Sequence, residues 1–321
     1  MDTLNRRRFL ETSLAASTTA VLGQLPIRRA VAADFTKPVP AAKGLTAYHN
    51  GSNILLRHNN LPILGYRAHS SLKYPYFSPL NGPVSGLSLT AESALPYPHH
   101  RGLWLGCDPV NGGNYWADNA LDTGQIRSTH LKLETDKQTS SSVSFVEQCV
   151  WHRKDSTPFQ DARQYQIQVM PNRQLWIDCE FQVTAQEDVS IKSAKHSFFA
   201  LRAAADISPS YGGTLINSRG GVNAKGTYGK QAEWCGYFGK RRLRPDVVEG
   251  IVIMNHPDNF GGDCPWFTRD YGHLSPSPFN FLSKPWTIAK GDQLQLKYRV
   301  VLFSGTPQAA NLNDTYKNWL G

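Results

Sequence analysis

Near its C-terminus the chain reads Gln293-Leu294-Gln295-Leu296-Lys297-Tyr298-Arg299-Val300, with an apolar residue at every second position. Successive side chains of a strand point to opposite faces of its sheet, so this alternation predicts a half-buried antiparallel strand. Glu180-Phe181-Gln182-Val183 repeats the pattern. Both stretches therefore indicate a sheet with one face towards a core and the other towards water.

Strand-like runs follow one another through most of the chain, with turn signals between them. The 26 Gly and 20 Pro residues are concentrated between these runs, as short strands with tight connections require. The runs are Asn53–His58, Ile63–Ala68, His130–Glu134, Val143–Trp151, Gln164–Val169, Gln174–Val183, Val189–Ser193, Ser197–Ala203, Val248–Met254 and Gln293–Phe303.

One helix is predicted beyond the N-terminal segment. Thr306-Pro307 resembles an N-cap followed by Pro at the first helical position, and the helix would run through Tyr316 to Trp319. Strands and helices do not alternate, which argues against a parallel α/β fold, and no repeat of roughly 20–50 residues indicates a propeller or solenoid. The sequence predicts an all-β fold, a large antiparallel β-sandwich with a short C-terminal helix.

Residues 1–33 predict an export signal rather than a part of the fold. Arg6-Arg7-Arg8-Phe9-Leu10 fits the twin-arginine pattern R-R-x-F-L, and Ala30-Val31-Ala32 fits an A-x-A-like cleavage site. We expect residues 34–321 to form a single β-sandwich domain of an exported protein, periplasmic or extracellular. No stretch has the about 20 consecutive apolar residues that span a bilayer, so no membrane insertion is expected.

The net charge of +9 does not indicate a nucleic-acid partner. Part of it belongs to residues 1–33, which hold five Arg and two acidic residues. The other charges are scattered, and the short cluster Lys240-Arg241-Arg242 is typical of a solvated loop.

Two of the five Cys residues and two of the acidic residues lie in or beside strand-like runs, where structural roles are possible. Cys149 and Cys179 lie in strand-like runs and are interpreted as small core residues. None of the five Cys residues forms a C-x-x-C pair, and the odd count leaves at least one thiol unpaired, with one disulfide still possible. The sequence leaves two roles open for Glu147 and Asp206, which adjoin strand-like segments. They could form a salt bridge to a buried Arg, or belong to a carboxylate pair for glycoside chemistry drawn from Asp108, Asp118, Glu147, Asp161, Asp206 and Asp258.

Polar and aromatic residues crowd into four stretches that we interpret as loops, at 99–118, 195–202, 211–234 and 255–273. The densest part reads Pro96-Tyr97-Pro98-His99-His100-Arg101-Gly102-Leu103-Trp104. His99 and His100 would point to opposite faces of a strand unless the backbone turns there, which Pro98 and Gly102 make plausible. This composition is typical of a carbohydrate cleft, because aromatic faces stack on sugar C–H surfaces while amides, acids and Arg hydrogen-bond the hydroxyls.

These stretches supply the candidate site residues. Imidazole titrates near neutrality and suits acid/base catalysis. Neutral imidazole also binds metals, but no H-x-H or H-E-x-x-H spacing is present, so a metal ion and any cofactor stay unassigned. The predicted catalytic residues are His99, His100, His196 and His256. The predicted substrate-binding residues are Arg101, Trp104, Trp116, Asp118, Arg219, Trp234 and Asn259.

An ordered set of motifs resembles the DUF6807 family, whose older label is "methane oxygenase PmoA". The motifs are PYFSPLNGP (75–83), PHHRGLWLG (98–106), YGGTLINSRGG (211–221), EGIVIMNHPDNF (249–260), PWFTRDYGHLSPSPFNF (265–281) and GDQLQLKYRVVLFSG (291–305). The resemblance implies a galactose-mutarotase-like β-supersandwich and a sugar-related role. Methane oxidation is not carried over, because true particulate methane monooxygenase subunits are integral membrane proteins.

The leading functional hypothesis is an exported enzyme that acts on a carbohydrate or a sugar-derived small molecule. It would cleave a glycosidic bond by hydrolysis or elimination, or epimerise a sugar, with a His as acid/base. A non-catalytic glycan-binding module is the first alternative, and it predicts exposed aromatic residues without a pocket that joins His and carboxylate. A metal-dependent oxidase or oxygenase is the second.

Overall fold

The computed structural model describes residues 42–117 and 120–321, and from residue 42 onward these form one compact unit. The predicted signal over 1–33 lies outside the described residues. In chain order the strands are β1 (Leu45–Asn50), β2 (Asn53–His58), β3 (Leu61–Arg67), β4 (Tyr76–Leu80), β5 (Leu103–Asp108), β6 (Gln125–Leu133), β7 (Ser142–Arg153), β8 (Ser156–Val169), β9 (Leu175–Ala185), β10 (Val189–Ile191), β11 (His196–Arg202), β12 (Thr214–Asn217), β13 (Trp234–Arg241), β14 (Arg244–Asn255), β15 (Trp266–Arg269), β16 (His273–Pro276), β17 (Trp286–Ile288) and β18 (Gln293–Ser304). The α-helices are α1 (Asn223–Thr227) and α2 (Leu312–Leu320).

Two large antiparallel sheets carry most of these strands. The first has eight strands in the order β1-β2-β3-β4-β5-β11-β16-β15, and the second has eight in the order β12-β13-β14-β18-β9-β8-β7-β6. Strands β10 and β17 form a separate small pair. The predicted large antiparallel β-sandwich is therefore confirmed.

Aromatic side chains from the facing sheets meet in the core. Tyr66 of the first sheet lies 5.1 Å from Phe145 of the second, measured between ring centroids. Phe199 of the first sheet stacks on Tyr298 of the second at 4.7 Å. Tyr298 belongs to the alternating stretch at 293–300, so its apolar residues face this core as the pattern predicts.

The C-terminal helix begins later than its sequence predicts. Helix α2 starts at Leu312, and Asn311 before it has a positive φ of 52°. Thr306 does make a capping contact, because its Oγ1 accepts a hydrogen bond from the Ala309 N–H at 3.3 Å. That contact closes a separate turn, since the left-handed Asn311 interrupts the helical backbone before α2 begins.

The structure gives Glu147, Asp206 and the thiols structural roles. Glu147 and Asp206 pair with the buried Arg163 and Arg241, at 3.4 Å and 3.0 Å. Arg241 ends β13 and is buried, so the interpretation of Lys240-Arg241-Arg242 as a solvated loop is wrong for this residue. All five Cys residues are buried and free, so the disulfide that the sequence left open does not form among them.

Candidate functional site

The first sheet has one face towards the core and an outer face away from it. At the centre of the sheet, on strands β5, β11 and β16, the outer face carries polar and aromatic side chains. Residues directly opposite each other on antiparallel strands share a face. His196 of β11 is paired with Asp108 of β5, and Arg202 of β11 is paired with His273 of β16. Trp104 lies on the same face, because it is four residues from Asp108 along β5.

A turn brings the two adjacent histidines into this face. The His100 N–H donates to the Tyr97 carbonyl oxygen at 3.0 Å, which closes a tight turn over Pro98 and His99. The imidazole rings of His99 and His100 then lie 4.5 Å apart, edge to face. The backbone therefore does turn here, and the two rings lie close enough to contact the same ligand.

Gly102 makes the return from this turn into β5 possible. Its φ is +64°, and a Cβ at this position would overlap the carbonyl oxygen of Phe77 on the neighbouring strand β4. Glycine alone among the residues adopts this conformation without a steric penalty. The chain therefore passes close beneath β4 and delivers His100 onto the sheet.

His100 lies at the centre of a buried aromatic stack. Its ring lies 4.5 Å from His273 and 5.5 Å from Trp104, with interplanar angles of 24° and 29°. Trp104 also meets Trp116 at 5.0 Å. His100 is 2% exposed and His273 is fully buried. We call these four residues, together with His196, the histidine–tryptophan cluster.

Burial holds the two inner imidazoles in their neutral form. It lowers the pKa of His100 to about 2, with further lowering by the nearby His99 and Arg202. Burial likewise lowers the pKa of His273 well below its usual value, and His100 adds to that effect. Near neutral pH each ring therefore has one N–H donor and one acceptor nitrogen, and neither carries charge.

His196 is the cluster's most solvent-accessible member. Its side chain is 29% exposed, and its Nδ1 lies 3.9 Å from Oδ2 of Asp108, whose side chain is 26% exposed. The imidazole stacks on Trp116 at 5.2 Å, with the planes 23° apart. A half-exposed imidazole held between a carboxylate and an indole is an arrangement suited to proton transfer.

Several buried polar atoms of the cluster have no hydrogen-bond partner among the described residues. They are the indole Nε1 atoms of Trp104 and Trp116 and both ring nitrogens of His273. Buried polar groups are nearly always paired with protein, water or ligand. Four such atoms are concentrated in this one cluster, and all of them are buried.

Residues 53–317 match the family of unknown function DUF6807. The chain belongs to DUF6807. The matched range includes every residue of the histidine–tryptophan cluster, and it confirms the resemblance that the sequence motifs indicate. No curated protein matches the chain significantly.

Solved structures similar to this DUF6807 chain include three carbohydrate-related proteins. A galactose mutarotase-like protein from Lactobacillus casei is 8% identical, with 81% of this chain and 100% of that one covered, at a TM-score of 0.39. A putative kojibiose phosphorylase from the human microbiome is 11% identical, and the match covers 87% of this chain and 36% of that one, at a TM-score of 0.34. A 4-alpha-glucanotransferase from Thermococcus litoralis is 8% identical, with 82% and 40% covered, at a TM-score of 0.34. These likenesses are weak, and the fold of this chain rests on its own sheets.

The cluster contains part of the predicted site. His99, His100 and His196 are in it or touch it, as are Trp104 and Trp116. Arg101 lies at its edge, with its guanidinium carbon 5.9 Å from the Tyr76 ring centroid. Asp118 lies outside the described residues.

His256 and Asn259 lie elsewhere, beside the second sheet. His256 contacts Trp319 of α2 at 5.2 Å and Asp258 at 3.6 Å. Asn259 is buried and exchanges hydrogen bonds with the backbone of Lys297, at 2.6 Å and 2.7 Å, which fastens its loop to β18. None of these contacts involves His99 or His100, so the structure gives His256 and Asn259 other partners, and their place in a joint site with His99 and His100 stays a prediction.

Arg219 and Trp234 also have partners away from the cluster. Arg219 pairs with Glu233 at 3.0 Å, and both side chains are largely exposed. Trp234 is buried under α2, where its Nε1 donates to Oδ1 of Asn313 at 2.9 Å. Strand pairing places Trp234 in the second sheet, away from β5 which carries Trp104, so the predicted binding of one ligand by these residues stays a prediction.

Three residues of the site are not distinguished by the sequence, namely Arg202, Tyr271 and His273. All three lie in the polar stretches at 195–202 and 255–273, among neighbours of similar character. One signal does mark His273: together with Ser275 it alternates with apolar Leu274, the pattern of a short strand with one polar face.

Neither a metal cluster nor a membrane-spanning helix occurs in the described part of the chain. Within residues 42–117 and 120–321, no three His, Cys, Asp or Glu side chains lie close enough to hold a metal ion. No helix of the described residues is long and apolar enough to cross a membrane.

Proposed function

We propose that this chain is a carbohydrate-active enzyme whose substrate binds over the histidine–tryptophan cluster, with His196 as its acid/base. The observation that carries the proposal is the meeting of three imidazoles, two indoles and the Asp108 carboxylate on one sheet face. His196 and Asp108 are the accessible groups of this face, where a sugar hydroxyl can reach them, and the buried Trp116 supports the His196 ring from below.

His196 has the position that proton transfer requires. Asp108 faces its Nδ1, and a carboxylate there favours the tautomer with the proton on Nδ1. The Nε2 atom then has a free lone pair that can take a proton from a substrate and later return it. Trp116 stacks on the ring and limits its rotation.

His100 and His273 have a different role in this proposal. Both remain uncharged, because burial opposes their protonation and lowers their pKa values. A neutral imidazole can donate to one hydroxyl and accept from another, so these residues would orient the sugar rather than exchange protons with it. The reaction would be cleavage of a glycosidic bond, by hydrolysis or elimination, or epimerisation.

The chain offers a matched pair of variants for the test. His196→Gln removes the proposed acid/base, while His256→Gln makes the same change at a histidine that also faces an Asp but lies beside the second sheet. Purified protein would be incubated with neutral and acidic oligosaccharides, and the products identified by mass spectrometry and NMR. A gain of water indicates hydrolysis, a loss of water relative to those products indicates elimination, and an unchanged mass with new anomeric or ring signals indicates epimerisation.

We expect activity in the wild type and in His256→Gln, and a loss of about 100-fold or more in His196→Gln. Equal activity in all three proteins would refute the assignment of His196. Retention of a glycan without any product would replace the enzyme by a glycan-binding protein. Export remains part of the proposal, and the N-terminal residue of protein recovered from the cell envelope, expected near Ala33, tests it.

A further inference from the structure

Within residues 42–117 and 120–321, the buried arginines have carboxylate partners, with one exception. Four arginines of the described residues are less than a tenth exposed. Three of them form ion pairs: Arg163 with Asp161 at 2.6 Å, Arg241 with Glu249 at 3.1 Å, and Arg299 with Asp178 at 2.6 Å. The fourth is Arg202, which is 3% exposed and has no carboxylate partner among the described residues.

Arg202 lies against the histidine–tryptophan cluster and is only partly hydrogen-bonded. Its Nη2 donates to the Leu95 carbonyl oxygen at 3.1 Å, and its Nη1 lies 3.5 Å from Nδ1 of His100. The guanidinium carbon lies 4.6 Å from the ring centroid of Tyr271. Its Nε is buried and has no partner within the described residues.

A buried guanidinium without a counter-charge is unfavourable, and the pKa values of the site reflect this. Burial lowers the pKa of Arg202, whereas the paired Arg163 has its pKa raised by Asp161. The charge of Arg202 also helps to lower the pKa values of His100 and His273. Arg202 nevertheless remains protonated at any physiological pH. The positive charge is therefore present and uncompensated.

The nearby polar groups that could serve an anion are donors. The indole N–H groups of Trp104 and Trp116 are unpaired among the described residues, and a neutral His273 supplies one more N–H. Two carboxylates of the first sheet and its loops already have other partners: Asp108 faces His196, and Glu92 accepts hydrogen bonds from Tyr76 and Ser78.

We propose that Arg202 binds the carboxylate of a sugar acid, so that the substrate of the proposed enzyme is a uronic acid or a glycan that contains one. This inference rests on the proposed function and names its substrate class. The free Nε edge of the guanidinium, with the second proton of Nη2, matches the two oxygens of a carboxylate. The bound carboxylate would supply the negative charge that Arg202 does not receive from the described residues.

Two tyrosines cover the approach to Arg202. Tyr97 is 40% exposed and lies 5.1 Å from Tyr271, which in turn stacks on the guanidinium. The carboxylate reaches Arg202 when Tyr97 and Tyr271 move apart. Because Trp104 and Trp116 contact His100, which in turn neighbours Arg202 and Tyr271, ligand binding at Arg202 is expected to change the indole fluorescence.

The test measures binding and stability in the same variants. Tryptophan fluorescence and calorimetry of the full chain would be recorded with glucuronate, galacturonate, glucose, galactose and acetate. Arg202→Met removes the charge at similar volume, and Arg244→Gln removes a charge from an exposed arginine that pairs with Asp246 at the surface. Thermal unfolding of Arg202→Met would be compared with that of Arg241→Met, which breaks a buried ion pair.

We expect uronates to bind the wild type at least tenfold more tightly than neutral sugars. Arg202→Met should lose about 10- to 100-fold of the uronate affinity, and Arg244→Gln should lose none. Arg202→Met should unfold at or above the wild-type temperature, because it removes an uncompensated buried charge, whereas Arg241→Met should unfold several degrees lower.

Each contrary outcome has a distinct meaning. If neutral sugars bind as well as uronates, or Arg202→Met binds uronates normally, the inference about Arg202 fails while the proposed function stands. If Arg202→Met unfolds as far below wild type as Arg241→Met and no anion binds, Arg202 is structural and the inference fails. If acetate binds through Arg202 but no sugar binds at all, the anion site stands while the uronate substrate and the proposed function fail.

Discussion

The imidazole rings of His100 and His273 stack with their centroids 4.5 Å apart and their planes 24° apart. The two residues come from a turn before β5 and from the start of β16, and strand β11 lies between those strands in the sheet. Both rings are buried, and a proton on one would repel a proton on the other. The stack is therefore stable only while both rings are neutral.

This pairing predicts an acid-sensitive fold. In the unfolded chain a histidine takes up a proton as pH falls below about 6.5, while burial in the folded protein lowers the pKa of His100 to about 2 and keeps the ring neutral between pH 6 and 4. A depressed histidine pKa in the folded state means that stability is lost as pH falls through the unfolded value. We expect the free energy of unfolding to fall by about 1.4 kcal/mol per pH unit for each such histidine between pH 6 and 4.

Urea denaturation at a series of pH values measures this slope. His100→Gln should reduce the slope of the unfolding free energy against pH by the share of one histidine. His130→Gln, which changes an exposed residue of β6, should leave the slope as in the wild type. A slope that is the same in His100→Gln and wild type would show that His100 does not supply the acid sensitivity.

Asp108 is expected to support catalysis through His196. Asp108→Asn removes the charge that favours the Nδ1-protonated tautomer, so kcat on a sugar substrate should fall about tenfold or more, with less change in KM. The matched control is Asp258→Asn, because Asp258 lies 3.6 Å from His256 in the pair beside the second sheet. An equal effect of both substitutions would contradict the assignment of the site to the first sheet.

Gly102 is expected to tolerate no side chain. Gly102→Ala combines a left-handed φ of +64° with an overlap on the Phe77 carbonyl oxygen, and should lower the free energy of unfolding by roughly 2–5 kcal/mol. Gly51→Ala isolates the conformational part, since Gly51 has φ +58° and no atom lies within 4 Å of the point that its Cβ would occupy. That variant should lose only about 1–2 kcal/mol. Denaturant titration of both variants gives the comparison, and similar losses would show that the close approach at Phe77 is unimportant.

The buried ion pairs of Arg163 are expected to stabilise the sandwich interior. Arg163 lies 2.6 Å from Asp161 and 3.4 Å from Glu147, with all three side chains at most 1% exposed. Arg163→Met leaves two buried carboxyl groups without their cation, and should lower the free energy of unfolding by about 3–5 kcal/mol. Arg244→Gln, at an exposed pair, should change it by less than about 1 kcal/mol. Urea denaturation at neutral pH separates the two, and a small loss in Arg163→Met would count against the buried network.

Regular alternation predicts strands closely in this chain. The bounds of β2 agree with the sequence prediction at both ends, and β18 extends one residue beyond it. Strand β5 instead has the sequence character of a loop, because Trp104 and Asp108 on its outer face have the composition of a binding loop. Trp104 and Asp108 therefore indicate a site but make β5, the strand that carries them, hard to recognise from sequence.

The membership of the site is predictable only in part, for the same kind of reason. His99 and His100 are adjacent in sequence, so a local turn is enough to bring them together. His256 and His273 both lie in the polar stretch at 255–273, and the sequence does not distinguish them. They differ in the sheet to which they belong: His273 begins β16 in the first sheet, while His256 follows β14 in the second.

The sequence by itself determined the all-β class, the family and the residue types from which a sugar site could be built. Those properties follow from local alternation, turn residues and motif order, which each segment carries on its own. Tertiary structure alone decided that Arg202 has no carboxylate partner in the part of the chain that the structure describes, and that His273, not His256, stacks on His100. Strand order and burial set these relationships, because they join segments that are far apart along the chain and remove them together from water.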